Sequence, residues 1–225
     1  MEENNRPTSR KLADLRYVYD SIYLLNYNEL IQYITFINQD DDTFHLMTSM
    51  GNSPEVMRQT NVFTQRLFNF LSGFYIVYDQ CQSMINTCTD ADFRKTYNSA
   101  LNKYKSECNY LLIKDLRTII THISIPAITW LTRFNAREQT AYIIPLLKIS
   151  RLLEYERISP ELRDTLENET KDELAVHEFV QNHHNSFHSF YTTIFDKIPE
   201  VWSAEMKKAY EDKYKGSDAL ASYED

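Results

Sequence analysis

Apolar residues recur along most of this chain at three- and four-residue spacing, the spacing of one face of an α-helix. Helices are predicted over residues 10–38, 54–86 and 91–124. Ser53 is a capping residue that stands before a proline at the first position of the second helix. Residues 38–54 contain three aspartates and a Gly-Asn-Ser stretch, so a loop is predicted there.

A different pattern follows Pro126. Residues 128–134 and 140–147 are short apolar or β-branched runs that a polar stretch separates, and they predict a β-hairpin. Pro145 lies in the second run, where a missing backbone N–H favours an edge strand or counts against a strand there. A helix over 138–157 is the alternative interpretation of the same region.

Three more helices are predicted towards the C-terminus. Ser159 begins a short helix with a proline at its first position. The stretch Thr-Lys-Asp-Glu at 170–173 is a capping box that would begin a long helix over 170–197. Another proline begins a last amphipathic helix over 199–216.

The composition favours helices over sheets. Only 3 glycines and 6 prolines occur in 225 residues, fewer than the turns of a large sheet protein need. We therefore expect an all-α bundle of four to five long helices, with a short β-hairpin inserted near 128–147. Residues 1–216 are expected to form a single helical domain and 217–225 a flexible tail. The 16 tyrosines and 12 phenylalanines predict an aromatic core.

The cysteines and the lack of recognisable targeting segments suggest a cytoplasmic protein. Cys81, Cys88 and Cys108 form no Cys-x-x-Cys pair and are too few for a disulfide scaffold, so we expect reduced thiols. Cys81 and Cys88 are two helical turns apart, which is typical of core packing. No signal peptide and no membrane-spanning apolar run is recognisable in the sequence.

The charge is distributed unevenly along the chain. The net charge is −8, which discourages binding of nucleic acid over the whole surface. Residues 94–157 nevertheless hold 11 Lys and Arg against 5 Asp and Glu. This basic segment indicates a local anionic partner, although an ordinary fluctuation of surface charge explains it equally well.

The strongest candidate for chemistry is the pair Arg117 and His122 near the end of the third predicted helix. At roughly 100° per residue, both project from the side opposite the apolar stripe. Arginine is a permanent cation, and histidine titrates near neutral pH, so the pair could serve a phosphodiester-cleaving site. A solvated helix face would show the same pattern. The apolar stripe consists of Leu112, Ile113, Leu116, Ile119, Ile120 and Ile123.

A second candidate is a histidine stripe on the long C-terminal helix. Glu173, His177, His184 and His188 would lie on one side, and the last two have the i, i+4 spacing of a metal-binding pair. Further ligands would have to come from other helices, and none is identifiable. Half-buried histidines that hydrogen-bond between helices are the more common outcome. His183 lies within the apolar stripe and is expected in the core.

The segment from Tyr110 to Pro126, with its Arg-x4-His motif at Arg117 and His122, resembles the signature helix of the HEPN-like superfamily. An upstream stretch, Arg-Leu-Phe-Asn-Phe-Leu-Ser at 66–72, is similar to an uncharacterised bacterial branch of that superfamily. One departure is Thr118, because the residue after the arginine is often Asn, Asp or His. The resemblance covers about residues 55–126.

This resemblance implies a metal-independent endoribonuclease that acts as a homodimer, without a cofactor, in toxin–antitoxin or anti-phage defence. His122 would be the general acid or base, and Arg117 would hold the scissile phosphate. RNA would be the substrate, and an antitoxin or another defence protein would be the protein partner. Further substrate-binding residues on the same polar face would be Tyr110, Lys114, Thr118 and Thr121.

Two other functions remain open from the sequence. The chain could be a non-catalytic helical interaction module that regulates another protein, since many members of the superfamily are inactive binding domains. It could also be a metal-dependent helical-bundle enzyme that uses the histidine stripe.

Overall fold

A computed structural model describes residues 9–49, 53–88, 91–107, 110–122 and 128–201. In these ranges the chain is mostly helical and also contains one small antiparallel sheet. The helices are α1 (Ser9–Val18), α2 (Leu25–Gln39), α3 (Asp41–Ser49), α4 (Pro54–Thr87), α5 (Ala91–Glu107), α6 (Tyr110–His122), α7 (Ile149–Leu153), α8 (Pro160–Glu167) and α9 (Val176–Val201). The strands are β1 (Ile128–Asn135), β2 (Thr140–Lys148) and β3 (Glu173–Ala175).

The predicted first helix is confirmed, but it is not uniform. A π-helical segment, Tyr19–Leu24, joins α1 to α2 and buries Tyr19 and Tyr23. Helix α4 crosses this segment closely, since a Cβ atom at Gly73 would lie 3.3 Å from the Cα atom of Tyr23. The hydrogen of glycine therefore permits a backbone approach that any larger side chain would push apart.

The predicted loop over 38–54 is wrong, because α3 lies within it. The side-chain oxygen of Asp40 accepts a hydrogen bond from the backbone N–H of Thr43 at 2.9 Å, as a helix N-cap does. Asp41 and Asp42 follow in the first turn, where the helix dipole favours negative charge. The aspartate run that suggested a loop is thus the start signal of a helix.

The helix predicted over 54–86 is confirmed, and the helix predicted over 91–124 is confirmed in part. Helix α4 begins where expected, and the Ser53 hydroxyl accepts a hydrogen bond from the N–H of Val56 at 3.2 Å. The single helix predicted over 91–124 is described as two helices, α5 and α6. Residues 108–109 between them, which include Cys108, and residues 123–124 lie outside the described part of the chain.

The predicted hairpin is confirmed, and the alternative helix over 138–157 is wrong. Strand β2 pairs with β1 on one side and with β3 on the other, so it is the central strand and not the predicted edge strand. Pro145 is tolerated because the described pairing with β3 begins only at Leu146. The N–H of Ile143 is bonded to the side chain of Asn38 on α2. Successive N–H groups of a strand point to alternate sides, so the position of Pro145 faces the same side as the N–H of Ile143, away from β1. The missing N–H of Pro145 therefore interrupts no bond to β1.

The predicted capping box at 170–173 is wrong, and β3 occupies the start of the predicted helix over 170–197. Asp172 does not cap α9; its carboxylate accepts hydrogen bonds from the N–H and hydroxyl of Ser150 in the first turn of α7, at 2.6 and 2.9 Å. Helix α9 begins later, at Val176, and continues through Pro199 to Val201, so no new helix begins at 199. The remaining predicted helix to 216 and the tail over 217–225 lie outside the described residues.

The core confirms the aromatic packing that the composition predicts. Rings from the π-helical segment, α4, α5 and α9 meet in one cluster, whose largest fully buried members include Tyr23, Phe70, Phe74, Tyr104 and Phe187. The sheet lies against the helices, since the indole N–H of Trp130 donates to Thr60 on α4 at 2.8 Å. None of the described helices has both the length and the apolar character that crossing a bilayer requires.

Asn38 takes the place of a strand beside β2. Its carboxamide accepts a hydrogen bond from the N–H of buried Ile143 at 2.6 Å and donates to the carbonyl of Ile143 at 3.1 Å. Replacing Asn38 by alanine should lower the free energy of unfolding by about 1–3 kcal/mol, because a buried N–H and carbonyl lose their partners. Urea unfolding monitored by circular dichroism would measure the change.

Thr35→Ala on the same helix is the matched control. Its exposed hydroxyl bonds only to a carbonyl of its own helix, so its loss should change stability by at most about 0.5 kcal/mol. Equal effects of Asn38→Ala and Thr35→Ala would contradict the role assigned to Asn38.

Candidate functional site

Helix α6, which carries the Arg-x4-His motif, has one buried and one outward face. The predicted apolar stripe is confirmed for Leu112, Ile113, Leu116 and Ile119, which are all buried against the core, while Ile120 is half-buried. Ile123 lies outside the described residues. The opposite face presents Lys114, Arg117 and Thr118, as the helical period predicts.

Asp115 is the unexpected residue on α6, because its carboxylate is buried. One of its oxygens accepts hydrogen bonds from the N–H and the hydroxyl of Ser159, both at 2.7 Å. Ser159 immediately precedes α8, so this contact joins the middle of α6 to the start of another helix. The charge-assisted bonds fix the rotation of α6 two residues before Arg117.

The guanidinium group of Arg117 lies against an aromatic ring of the neighbouring helix. Its Cζ atom is 4.7 Å from the centre of the Tyr75 ring on α4, a cation–π contact. Burial raises the pKa of the Tyr75 hydroxyl, and Arg117 opposes that shift only in part. Lys114 is exposed one turn earlier, and the hydroxyl of Thr118 donates to the backbone carbonyl of Lys114 at 3.2 Å.

Tyr110, at the start of α6, belongs to a group of tyrosines between α4, α5 and α6. Its hydroxyl donates to the hydroxyl of Tyr78 at 3.4 Å, and its ring lies 5.7 Å from that of Tyr104, edge to face. The ammonium group of Lys105 lies 5.0 Å from the centre of the Tyr110 ring. Lys105, Lys114 and Arg117 thus place three cations on the outer side of α5 and α6.

The other two residues of the predicted site can be placed only by their backbone. Thr121 and His122 form the last two residues of α6, and their side chains lie outside the described part of the structure. The convergence of Arg117 and His122 on one phosphate therefore stays a prediction.

The histidine stripe on α9 faces tyrosines of the N-terminal helices. The hydroxyl of Tyr19 bonds to Nδ1 of His188, and the hydroxyl of Tyr23 bonds to Nδ1 of His184 at 3.2 Å. The ring of Tyr27 stacks on His184 with the centres 3.7 Å apart. Burial, followed by the nearby charge of His188, lowers the pKa of His184 to about 4. His184 is therefore a neutral packing and hydrogen-bonding group at pH 7.

His183, Cys81 and Cys88 are buried in the core, as predicted. Burial lowers the pKa of His183 to about 3; its Nδ1 faces the Tyr104 hydroxyl at 3.4 Å. Cys81 and Cys88 are free and buried, and burial raises the pKa of the Cys81 thiol to about 12. Among the described residues, no three His, Cys, Asp or Glu side chains come together as metal ligands. His177 instead lies beside Glu178, with a 4.0 Å separation of Nε2 and Oε1.

A groove of about 550 Å³ lies between α5 and α9 and was not predicted. Lys95 and Lys103 line it together with several hydroxyl groups and the carboxylate of Asp92, so the groove is polar and only weakly cationic. Neither Arg117 nor Lys114 lines it, although Tyr104 at its base contacts Tyr110. A stripe of small polar residues at helical spacing could have revealed it; this stripe consists of Asp92, Thr96 and Ser99 on α5 and Ser186, Ser189 and Thr193 on α9.

Comparison with known proteins gives no independent indication of function. No family model, no curated protein and no solved structure matches this chain. The function has to be inferred from the residues of the chain and from the resemblance of its Arg-x4-His helix to the HEPN-like superfamily.

The buried histidines predict a loss of stability in mild acid. His184 and His183 stay neutral in the folded chain down to about pH 4 and 3, whereas unfolded histidine takes up a proton near 6.5. The unfolded state therefore binds more protons below pH 6.5, and the free energy of unfolding should fall by about 1.4 kcal/mol per pH unit for each histidine. Urea unfolding between pH 6.5 and 5 would measure this slope.

His184→Gln should reduce that slope by about 1.4 kcal/mol per pH unit, the contribution of one proton, since the glutamine side chain does not titrate. Gln181→Ala, which replaces an exposed and non-titrating side chain on the same helix, is the control and should keep the wild-type slope. An identical pH dependence in wild type and His184→Gln would contradict the inferred protonation state.

Asp115→Ala should destabilise the chain by about 1–3 kcal/mol, because Ser159 loses an acceptor for both its N–H and its hydroxyl. Ser159→Ala removes only the hydroxyl and should cost less. A double-mutant cycle with thermal unfolding would isolate the coupling. Asp164→Ala, an exposed carboxylate on α8, is the control; a cost equal to that of Asp115→Ala would show that the buried contact contributes little.

Proposed function

We propose that this chain is a metal-independent endoribonuclease of the HEPN type and acts as a homodimeric toxin or anti-phage effector in the cytoplasm. Arg117 holds the scissile phosphate, and His122 transfers protons. The observation that carries this proposal is the placement of the Arg117 guanidinium on the outer face of α6, 4.7 Å from the Tyr75 ring and five residues before His122. The long helices α2, α4, α5, α6 and α9 would be the bundle that the resemblance implies.

The surroundings of Arg117 support a phosphate-binding role. The contact with Tyr75 limits the positions open to a long side chain, which reduces the entropy lost when a phosphate is held. Arginine suits this task because its planar fork of N–H groups matches two phosphate oxygens. Lys114, which is exposed one turn before Arg117, and Lys105, which lies over the Tyr110 ring, add positive charge on α6 and α5, and this favours a polyanion.

The proposed chemistry needs one proton acceptor and one proton donor. A base removes the proton of the 2′-hydroxyl, whose oxygen attacks the adjacent phosphorus, and an acid protonates the departing 5′-oxygen. The products are a 2′,3′-cyclic phosphate and a 5′-hydroxyl end. One histidine performs one of these transfers at a time, so a two-fold dimer would supply the second His122. Two copies of Arg117 would stabilise the added charge on phosphorus.

A non-catalytic interaction module is the second candidate, and one set of observations favours it. Arg117 packs on Tyr75, the Thr118 hydroxyl bonds within α6, and the Tyr110 hydroxyl bonds to Tyr78. Groups engaged within the fold act as structural elements unless a substrate displaces their contacts. An antitoxin or another defence protein would be the partner in either case.

Replacement of His122 by alanine should lower the rate of RNA cleavage by roughly 10²–10⁴-fold, the usual contribution of a general acid or base. Arg117→Ala should lower it by roughly 10²–10³-fold, because charge stabilisation on the phosphate is lost. Gel assays with labelled RNA, together with mass spectrometry of the product ends, would measure both effects. EDTA should leave wild-type cleavage unchanged.

His45→Ala is the control for loss of a histidine, since it lies on the exposed side of α3. Circular dichroism should show that His122→Ala folds as the wild type does. Cleavage by His122→Ala at the wild-type rate, or loss of wild-type cleavage in EDTA, would rule out the proposed mechanism. A wild-type chain without cleavage activity would favour the interaction module.

A further inference from the structure

The end of the β1–β2 hairpin lies on the surface of the described structure, with Arg133 near enough to His177 on α9 to help lower the pKa of that histidine, after the larger effect of burial. From Thr132 to Tyr142 every side chain except the half-buried Asn135 is exposed. Phe134 is 66% exposed and Tyr142 39%, although aromatic side chains are normally packed. Exposed rings also occur elsewhere in the described structure, at Tyr17 and Phe36 for example, so the charged groups beside the rings decide what this end could bind.

The exposed end is held in a defined shape. The strands stay paired up to Asn135 and Thr140, and the Asn135 side-chain oxygen accepts hydrogen bonds from the N–H groups of Arg137 and Glu138, at 3.1 and 3.4 Å. At its base the hairpin is fixed to α4 by the Trp130–Thr60 hydrogen bond. The rings therefore stand on a stiff support, and little ordering is needed before they bind a partner.

Cationic side chains accompany both rings. Arg133 pairs across the hairpin with Tyr142, so the guanidinium and the phenol share one face of the ribbon. Phe134 pairs with Ala141 and lies on the opposite face, next to a small neighbour that leaves the ring uncovered. Arg137 lies in the turn, followed by the exposed carboxylate of Glu138, so the hairpin end carries two cations and one anion. Neither Arg133 nor Arg137 forms an ion pair with any side chain that the structure describes.

We propose that this hairpin end binds single-stranded RNA. The strand passes over the turn, so that one base stacks on Tyr142 beside Arg133, another stacks on Phe134 on the opposite face, and Arg137 in the turn contacts a phosphate between them. Exposed rings that alternate with cations suit a single strand, whose bases are free to stack and whose phosphates repeat along the chain. The inference rests on the proposed function in one respect, because it takes RNA as the ligand. The hairpin would bind the substrate RNA at a place other than Arg117.

A second protein copy fits this surface less well. A stable protein interface buries on the order of 1,200–2,000 Å² with a contiguous apolar centre. Here the two rings lie on opposite faces of a narrow ribbon, and most of the neighbouring side chains are polar. Neither face alone offers a contiguous apolar patch.

The test uses the full chain and a fluorescent 12-nucleotide RNA whose 2′-hydroxyls are methylated, so that binding is measured without cleavage. Fluorescence anisotropy would give the dissociation constant. Phe134→Ala and Tyr142→Ala should each weaken binding roughly 5- to 100-fold, because a stacking platform is removed. The double variant Arg133→Gln, Arg137→Gln should bind RNA more weakly. The slope of log affinity against log salt concentration should also become shallower by about 1.4, or about 0.7 for each phosphate that an arginine no longer neutralises.

Arg157→Gln is the matched control, since it removes an exposed arginine of the same basic segment away from the hairpin. Wild-type affinity in that control together with weakened binding in the hairpin variants would support the inference. Wild-type affinity in the hairpin variants, or no binding by the wild type, would overturn it. So would a chain that sediments as a dimer and becomes monomeric in Phe134→Ala, with unchanged affinity for RNA, because the hairpin would then join two copies.

The two proposals can fail separately. RNA binding that depends on Phe134 and Tyr142 in a wild-type chain without cleavage activity would refute the ribonuclease and keep the hairpin surface. Cleavage that depends on His122 while the hairpin variants bind RNA normally would refute the hairpin surface alone.

Discussion

The packing of Phe187 on α9 against rings from three other elements determines where the rest of the chain lies. Its ring centre is 5.1 Å from that of Tyr23 in the π-helical segment, 4.8 Å from that of Phe74 on α4 and 5.5 Å from that of Tyr104 on α5. Each such pair stabilises the fold by about 0.5–1.5 kcal/mol beyond the burial of apolar area. Because Tyr104 also contacts Tyr110, the same packing positions the start of α6. The candidate site therefore depends on a core that lies one helix away from it.

The buried polar groups then select one arrangement among those that apolar packing alone would permit. Burial of apolar surface is not directional, whereas a buried carboxylate or amide that loses its hydrogen-bond partner is strongly disfavoured. Asp115 accordingly fixes α6 against the start of α8, and Asn38 fixes α2 against β2. The neutral His184, bonded to Tyr23 and stacked on Tyr27, does the same between α9 and the N-terminal helices. The outward direction of Arg117 is a consequence of these inner contacts.

What could be predicted from the sequence is what local signals determine. The Ser53 cap, the apolar stripe of α6 and the alternation in the hairpin each depend on residues a few positions apart, and each is confirmed. Errors arose where a distant partner decides the outcome. Asp172 resembled part of a capping box but bonds to Ser150, 22 residues away, and the partner of Asp115 is 44 residues away. The histidine stripe was expected to hydrogen-bond between helices and does so, but its partners lie 161 and 169 residues earlier and could not be named from the spacing. The spacing of residues along the sequence does not reveal which distant residues will be hydrogen-bond partners.

The charge distribution favours a ligand that repeats its charge over one that carries a single charge. A net charge of −8 repels anions at long range, so an anion is held only where cations are concentrated. In the described structure these cations lie on separate elements: Lys105 and Arg117 beside the tyrosines, Lys95 in the α5–α9 groove, and Arg133 on the hairpin. At physiological salt, each such group acts over a distance of only about 8 Å. A lone phosphate would therefore gain one weak contact. An RNA strand carries many phosphates and could place them at several of these cationic groups. Affinity would then rise with the length of the strand, which is the property that separates a polynucleotide site from a site for a small anion.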